Sequence, residues 1–199
     1  MATGNVYAHR SIVRDLTERL VRKAKQLPVG DPTSGKVALG PLINAQQLER
    51  VDGIVKDAVT KGAVLRAGGE HENLFYKPTV LEEVRPGMRV LEEEVFGPVV
   101  AIVPFDSDDE AIAMNNASQY GLSAGVITTS LERAMSFTAR LKTGIIHVND
   151  QTVGDEPWVQ FGGTGASGNG GRHGGVANWE EFTQWQWVTM QDKATPFPF

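Results

Sequence analysis

Val99-Val100-Ala101-Ile102-Val103 is apolar at every position, and Ser107-Asp108-Asp109-Glu110 follows it almost at once. The first run has no polar face to offer water, the pattern of a strand buried on both sides. The second reads as a helix start, with Ser107 as cap, Glu110 completing a capping box, and the acidic residues lying at the positive end of the helix dipole. The aspartates here read as structural. The spacing predicts a helix to about Gln119, stopped at Tyr120-Gly121, then a strand over 124–128 and a helix over 130–141. A turn at Thr143-Gly144 and a strand over 145–149 complete a β-α-β-α-β order. That alternation predicts an α/β fold with a largely parallel sheet, helices on its faces, and ligand sites beyond the C-terminal strand ends, here near Phe105 and Asn149.

Upstream, a short strand over 6–9 leads to a helix from about Ser11, which can cap it. Ile12, Leu16, Leu20, Ala24 and Leu27 recur at helical spacing until Pro28-Val29-Gly30-Asp31-Pro32 stops the helix. Asn44-Ala45-Gln46-Gln47 opens a second helix, whose apolar face is Leu48, Val51, Val55 and Val59 and whose end is Gly62. Strand-like runs follow at 63–66 and 79–84. Downstream, residues 161–175 hold eight glycines in fifteen positions, which excludes a regular helix interior. A short helix is expected over 176–182. Residues 183–190 alternate like a strand with Trp185 and Trp187 on one face, and the tail 196–199 reads as irregular.

At 199 residues the chain is long enough for one substantial core, or two small domains. Hydrophobic residues at 41% and charged residues at 22% exclude collagen-like and wholly disordered classes. Nineteen basic against 24 acidic residues give −5, with no basic block denser than the mixed run from Arg19 to Lys25, so no nucleic-acid partner is expected. No apolar run approaches the roughly 20 residues of a membrane span, and the first residues lack a signal-peptide layout, so a cytoplasmic protein without a membrane partner is the expectation. There is no cysteine at all, which removes disulfides, thiolate metal sites and a thiol nucleophile from what this chain itself can supply.

Gly163-Thr164-Gly165-Ala166-Ser167-Gly168 literally matches GxGxxG. A dinucleotide-phosphate loop needs a strand before it and a helix N-terminus after it, and neither is expected here, so a glycine-rich packing or binding turn is the favoured reading. His9, His71, His147 and His173 lack metal-ligand spacing, and no metal is expected. His147 shares a strand with Asn149 and could touch a ligand, though a strand histidine bonded to backbone is the more ordinary account. Glu92-Glu93-Glu94, just before Val95-Phe96-Gly97-Pro98, taken alone reads as a solvated acidic face.

Several segments in order change that reading. Gly40-Pro41-Leu42-Ile43, Pro78-Thr79-Val80-Leu81, Glu93-Glu94-Val95-Phe96-Gly97-Pro98-Val99, Glu110-Ala111-Ile112 with Asn115 or Asn116, Tyr120-Gly121-Leu122-Ser123-Ala124, Gly144 through Asn149, and Phe161-Gly162-Gly163 with Ser167-Gly168 resemble the C-terminal, catalytic-domain part of NAD(P)-dependent aldehyde dehydrogenases. His147-Val148-Asn149-Asp150-Gln151-Thr152-Val153 with Asp155-Glu156 is similar to the aromatic-aldehyde branch, the benzaldehyde and vanillin dehydrogenases; Gly165, where many members carry lysine, favours the same branch.

The resemblance implies a parallel-sheet aldehyde dehydrogenase catalytic-domain fold over 1–182 and an oligomerisation strand with a tail over 183–199. It implies NAD or NADP as cofactor and an aldehyde, aromatic by branch, as substrate. Glu94 matches the glutamate that hydrogen-bonds the nicotinamide-side ribose hydroxyls, Phe96 the aromatic beside the nicotinamide, and Gln47 a polar ribose contact. Asn149 and Phe161 match positions near the substrate pocket, with Trp158 or Val153 lining it. Trp185, Trp187 and Val188 fall in the oligomerisation strand, which implies a homo-oligomer such as a dimer, or pairing with a full-length subunit. The family's nucleophilic cysteine precedes a segment resembling Met1-Ala2-Thr3-Gly4, and its general base and phosphate-binding turn lie further upstream. The expectation is therefore a truncated member with no catalytic residue of its own, inactive as this chain alone, whose cofactor binding is weakened by the missing phosphate site.

Overall fold

A computed structural model describes residues 2–196. Its elements are β1 (Asn5–His9), α1 (Val13–Gln26), α2 (Ala45–Thr60), β2 (Val64–Ala67), β3 (His71–Glu72), β4 (Phe75–Tyr76), β5 (Thr79–Glu82), α3 (Arg89–Glu92) and β6 (Val99–Phe105). The second half carries α4 (Asp108–Asn116), β7 (Tyr120–Gly121), β8 (Ser123–Val126), α5 (Leu131–Arg140), β9 (Ile145–Val148), β10 (Thr164–Gly165) and α6 (Ala177–Phe182).

The apolar run at 99–103 lies inside β6, which is central in a sheet ordered β1-β6-β5-β2. It pairs in parallel with β1 on one edge and with β5 on the other, while β2 closes the sheet antiparallel. Period-two alternation sends Val99, Ala101 and Val103 to one face, against Val51, Ile54, Val55 and Ala58 of α2. Ile102 and Val100 face the other way, with Val13, Leu16, Leu20, Val21 and Ala24 of α1 covering that side. Two helices on opposite faces of a mostly parallel sheet make an α/β layering, and they explain why β6 has no polar face.

The second half departs from a single sheet. β8 and β9 pair in parallel with each other as a separate two-stranded sheet, because both edges of β6 are already taken. α4 and α5 lie side by side, tied by Arg133 Nε to Asp108 Oδ2 at 2.7 Å and Arg140 Nη2 to Asp109 Oδ1 at 2.7 Å, so the first-turn aspartates are structural as expected. The Asn116 amide bridges the junction after α5: its Nδ2 donates to Arg140 O and its Oδ1 accepts from Lys142 N, both at 2.8 Å.

The helix starts separate what local chemistry decides from what it does not. Ser107, Ser130 and Asn44 each accept a bond from the backbone N–H three residues on. Ser11 does not: α1 starts at Val13 with Ile12 as cap, and the Ser11 hydroxyl lies 2.7 Å from His9 Nδ1 instead. The Glu110 carboxylate accepts from Asp106 N, one residue beyond the Ser107 N–H of a reciprocal box, and α4 ends at Asn116, short of Gln119. Gly62 ends the α2 turn at φ +100°, a conformation that favours glycine. The expected strand over 183–190 does not form among the described residues: a strand needs a ladder partner, and none is present there. Of the irregular tail, 197–199 lie outside the described residues.

Candidate cofactor and aldehyde site

The acidic run resolves into three carboxylates with different surroundings. Glu93, extended at the end of α3, is held from two sides: Arg89 donates from Nε to Oε1 at 2.6 Å and from Nη2 to Oε2 at 3.2 Å, and Arg50 Nη2 donates to Oε2 at 3.1 Å. These guanidinium bonds, Arg89 first, hold the Glu93 carboxyl below its ordinary range. Glu94, the next residue, projects to solvent, and its carboxylate makes no ion pair or hydrogen bond among the described residues; only its carbonyl is held, by Arg50 Nη1 at 2.5 Å. Glu92 is exposed.

Two residues further on, Phe96 adopts φ +47° and leaves its ring 73% exposed. A non-glycine residue rarely takes that backbone, so surrounding bonds must hold it. Gln47 supplies them, its Nε2 donating to Val95 O at 2.8 Å and Phe96 O at 3.1 Å. Val95 is buried, and Gly97 comes so close to Val51 that a Cβ there would lie 2.7 Å from Cγ2. The loop is thus pinned by side chains of α2 and α3, with one free carboxylate and one free aromatic ring standing out from it.

This donor set fits the ribose end of a nicotinamide nucleotide. A carboxylate is an acceptor-only group suited to a vicinal diol, and its lack of a protein partner leaves it available. Phe96 offers an apolar face beside it. The Gln47 amide nitrogen is occupied by the loop, leaving its Oε1 as the atom able to meet a ribose. A phosphate end is not offered by the glycine segment. Gly163 and Gly168 pack backbone against backbone, Ala166 N bonds Gln119 O, Ser167 N bonds Thr164 O at 3.1 Å, and no helix start follows. The GxGxxG match is a backbone-packed turn whose Gly163, Ser167 and Gly168 line a cavity.

The four expected substrate residues occupy the loops after β9. Asn149 has φ +56°, with its Oδ1 accepting from Thr128 N at 2.9 Å. Val153 is half-exposed in a turn closed by Gly154 N to Gln151 O, and Trp158 is 70% exposed. The Phe161 ring packs 5.0 Å from His173 and lines a cavity of about 310 Å³ with Leu122, Ser167 and Arg172. No hydrogen bond or ring contact among the described residues joins Asn149 or Val153 to Phe161 or Trp158. Neither the cofactor loop nor Asn149, Val153 or Trp158 lines that cavity. His147 buries Nε2 without a hydrogen-bond partner, so it is not the backbone-bonded strand histidine of the ordinary account. Among the described residues no group of three or more His, Asp or Glu side chains is placed to hold a metal.

Sequence reasoning missed Arg50 and Arg89. Arg50 stands three residues after Gln47, one turn along the same face of α2, and that spacing was the available signal.

A model of the aldehyde dehydrogenase family matches residues 1–188. The chain belongs to the aldehyde dehydrogenase family. It is 47% identical over 199 residues to a benzaldehyde dehydrogenase [NAD(+)] of Pseudomonas putida and 44% identical over 200 residues to a vanillin dehydrogenase of an Amycolatopsis species. Each match covers 100% of this chain and 41% of the relative, so the chain spans about two fifths of the curated relatives' length. Among solved structures it is similar to a salicylaldehyde dehydrogenase from Pseudomonas putida G7 complexed with salicylaldehyde. That match has TM-score 0.90 and 34% identity, and covers 98% of this chain and 40% of the other. A Mycobacterium tuberculosis aldehyde dehydrogenase complexed with NAD+ matches with TM-score 0.87 and 34% identity, covering 96% and 40%. The parallel-core α/β fold of this family member therefore agrees with the expectation from sequence.

Proposed function

We propose that this aldehyde dehydrogenase chain supplies the nicotinamide-ribose contact and part of the aldehyde pocket for NAD(P)-dependent oxidation of an aromatic aldehyde to its acid. The observation that carries the reading is the unpartnered Glu94 carboxylate beside the exposed Phe96 ring on a pinned loop. Glu94, Phe96 and Gln47 would hold the nicotinamide end of NAD or NADP, which would supply the hydride acceptor for the oxidation. Glu94 accepts the ribose hydroxyls, Phe96 flanks the nicotinamide, and Gln47 offers its remaining oxygen to the same ribose. Phe161 lines the cavity of about 310 Å³, and Asn149, Val153 and Trp158, which stand apart from it on the loops after β9, are proposed as further contacts for an aromatic ring. The relatives named for benzaldehyde, vanillin and salicylaldehyde support the aromatic class.

The same proposal holds that this chain by itself does not turn over, since it contains no cysteine and the family's reaction needs a thiolate to attack the carbonyl. A cytoplasmic location belongs to it too; among the described residues no helix is long and apolar enough to cross a membrane. The test mixes pure chain with benzaldehyde and either cofactor and follows the absorbance of the reduced nicotinamide. A flat trace is expected. Turnover well above the buffer blank overturns the inactivity reading.

A second reading has its own observation. Trp185 and Trp187 are 92% and 91% exposed on a segment without backbone partners among the described residues, as a strand awaiting another chain's sheet would be. In that reading residues 183–199 form a unit distinct from 1–182 and serve as a pairing element toward a second copy or a full-length subunit. Capture of the chain by an immobilised full-length benzaldehyde dehydrogenase is the expected result, and failure to bind removes this reading.

A further inference from the structure

Three glutamates in a row, Glu92-Glu93-Glu94, present the loop with a choice of register, and the fold makes that choice through α2. One guanidinium, that of Arg50, bonds the Glu93 carboxylate at 3.1 Å and the Glu94 carbonyl at 2.5 Å. Arg89 takes the other side of Glu93 and is itself anchored to α2, its backbone N–H donating to Asp57 Oδ2 at 3.0 Å. Glu93 is in extended conformation, φ −117° and ψ 148°. Neighbouring residues of an extended chain project to opposite sides, so drawing Glu93 inward sends the Glu94 carboxylate outward.

We propose that Arg50 is a positioning residue for the cofactor loop, selecting Glu93 for the inner place so that Glu94 is presented, free of partners, to the ribose. This rests on the reading of Glu94 as the ribose acceptor. With Arg50 and Glu93 each about one-third exposed, the ion pair contributes little to overall stability. Its effect is specificity: the planar guanidinium aims two donors, in one fixed geometry, at two consecutive residues, a geometry that a lysine ammonium does not preset. A slip by one residue would place Glu94 against Arg50 and Arg89 and leave no carboxylate beside Phe96. The loop is set in the protein before any nucleotide arrives, so binding does not have to order it.

The test measures amide hydrogen exchange at residues 93–96 in the whole chain, with melting temperature as the global control and saturation transfer to nicotinamide mononucleotide as the ligand readout. Arg50→Gln is expected to speed local exchange by about tenfold or more while core amides of β6 keep their protection, and to diminish the ligand signal. Arg50→Lys, which keeps the charge but not the fork, restores only part of both. Should Arg50→Gln fail to fold, Glu93→Gln and Arg50→Lys cut the same contact from either side. Unchanged exchange at 93–96 in the folded variants overturns the proposal. Glu94→Gln separates the two layers: it should leave exchange alone and remove the ligand signal. A signal that survives Glu94→Gln, or is absent from the wild type, sinks the ribose reading, while the exchange measurements still decide the role of Arg50.

Discussion

At the scale of single residues, the loop from Glu93 to Gly97 combines an ionic clamp with a steric one. Gly97 has no room for a side chain, since an added Cβ would meet Val51 Cγ2 at 2.7 Å and Cγ1 at 3.0 Å, and Val51 is fully buried. Gly97→Ala is expected to destabilise by about 1–3 kcal/mol through overpacking. Val51→Ala in the same chain should recover part of that, a coupling that urea unfolding of the four proteins of a double-mutant cycle measures. Strictly additive losses would mean the two residues do not collide. The ionic clamp is sensitive to acid. Glu93 has a folded pKa below its ordinary 4.5, chiefly through its hydrogen bond to Arg89. Its contribution is therefore fully present above the unfolded value and is lost as pH falls through the depressed folded value. Glu93→Gln should lower neutral stability by the small worth of a one-third-exposed pair and converge on the wild-type curve as pH falls below about 4.5, flattening its acid side; a parallel curve would exclude Glu93 as the titrating group. The sequence singled out Glu94 and Phe96 through a motif. It did not show that Glu93 is held and Glu94 free, because that distinction comes from Arg50 and Arg89, which approach from α2 and α3.

Among elements, starts whose cap acts on its own helix were readable and those competing with a neighbour were not. Ser107 accepts from Glu110 N at 3.2 Å, and replacing it with alanine removes a cap worth about 1 kcal/mol. Ser11 has the same residue type in front of a helix, yet its hydroxyl is engaged with His9, so Ser11→Ala should change stability by less than about 0.5 kcal/mol. Thermal unfolding of the pair checks this, and equal losses would mean that Ser11 caps α1 in solution. The buried strand β6 was legible for a related reason: an all-apolar run of this length has few places to go other than a sheet centre. The splitting of the remaining strands into a second parallel pair was not, because periodicity records which faces are apolar and not which edges are free. β6 was already bonded on both edges, by β1 from the N-terminal segment and by β5, and nothing in the run 123–148 reveals that.

For the molecule as a whole, the segment from α6 onward is out of balance with the rest. Trp179, Phe182, Trp185, Trp187, Val188 and Met190 are all more than half exposed, a larger run of apolar surface than scattered surface residues produce. Residues 183–190 make no backbone hydrogen bond among the described residues, so unpaired ladder groups lie beside that apolar surface. The alternating pattern was readable as a strand, but strand formation requires a second backbone, and among the described residues none pairs with this segment. Both terms drive association in water: burial of each tryptophan contributes roughly 1.5–3 kcal/mol or more, and ladder pairing satisfies the exposed amides. The chain should therefore sediment as a dimer or larger species. Trp187→Lys places a charge in the middle of the apolar face, where pairing would have to desolvate it, and should shift the distribution to monomer. Since Trp187 is 91% exposed and touches none of the core, the variant should keep the wild-type far-UV spectrum and melting temperature measured at low concentration. An unchanged oligomer at equal concentration would show that association runs through another surface.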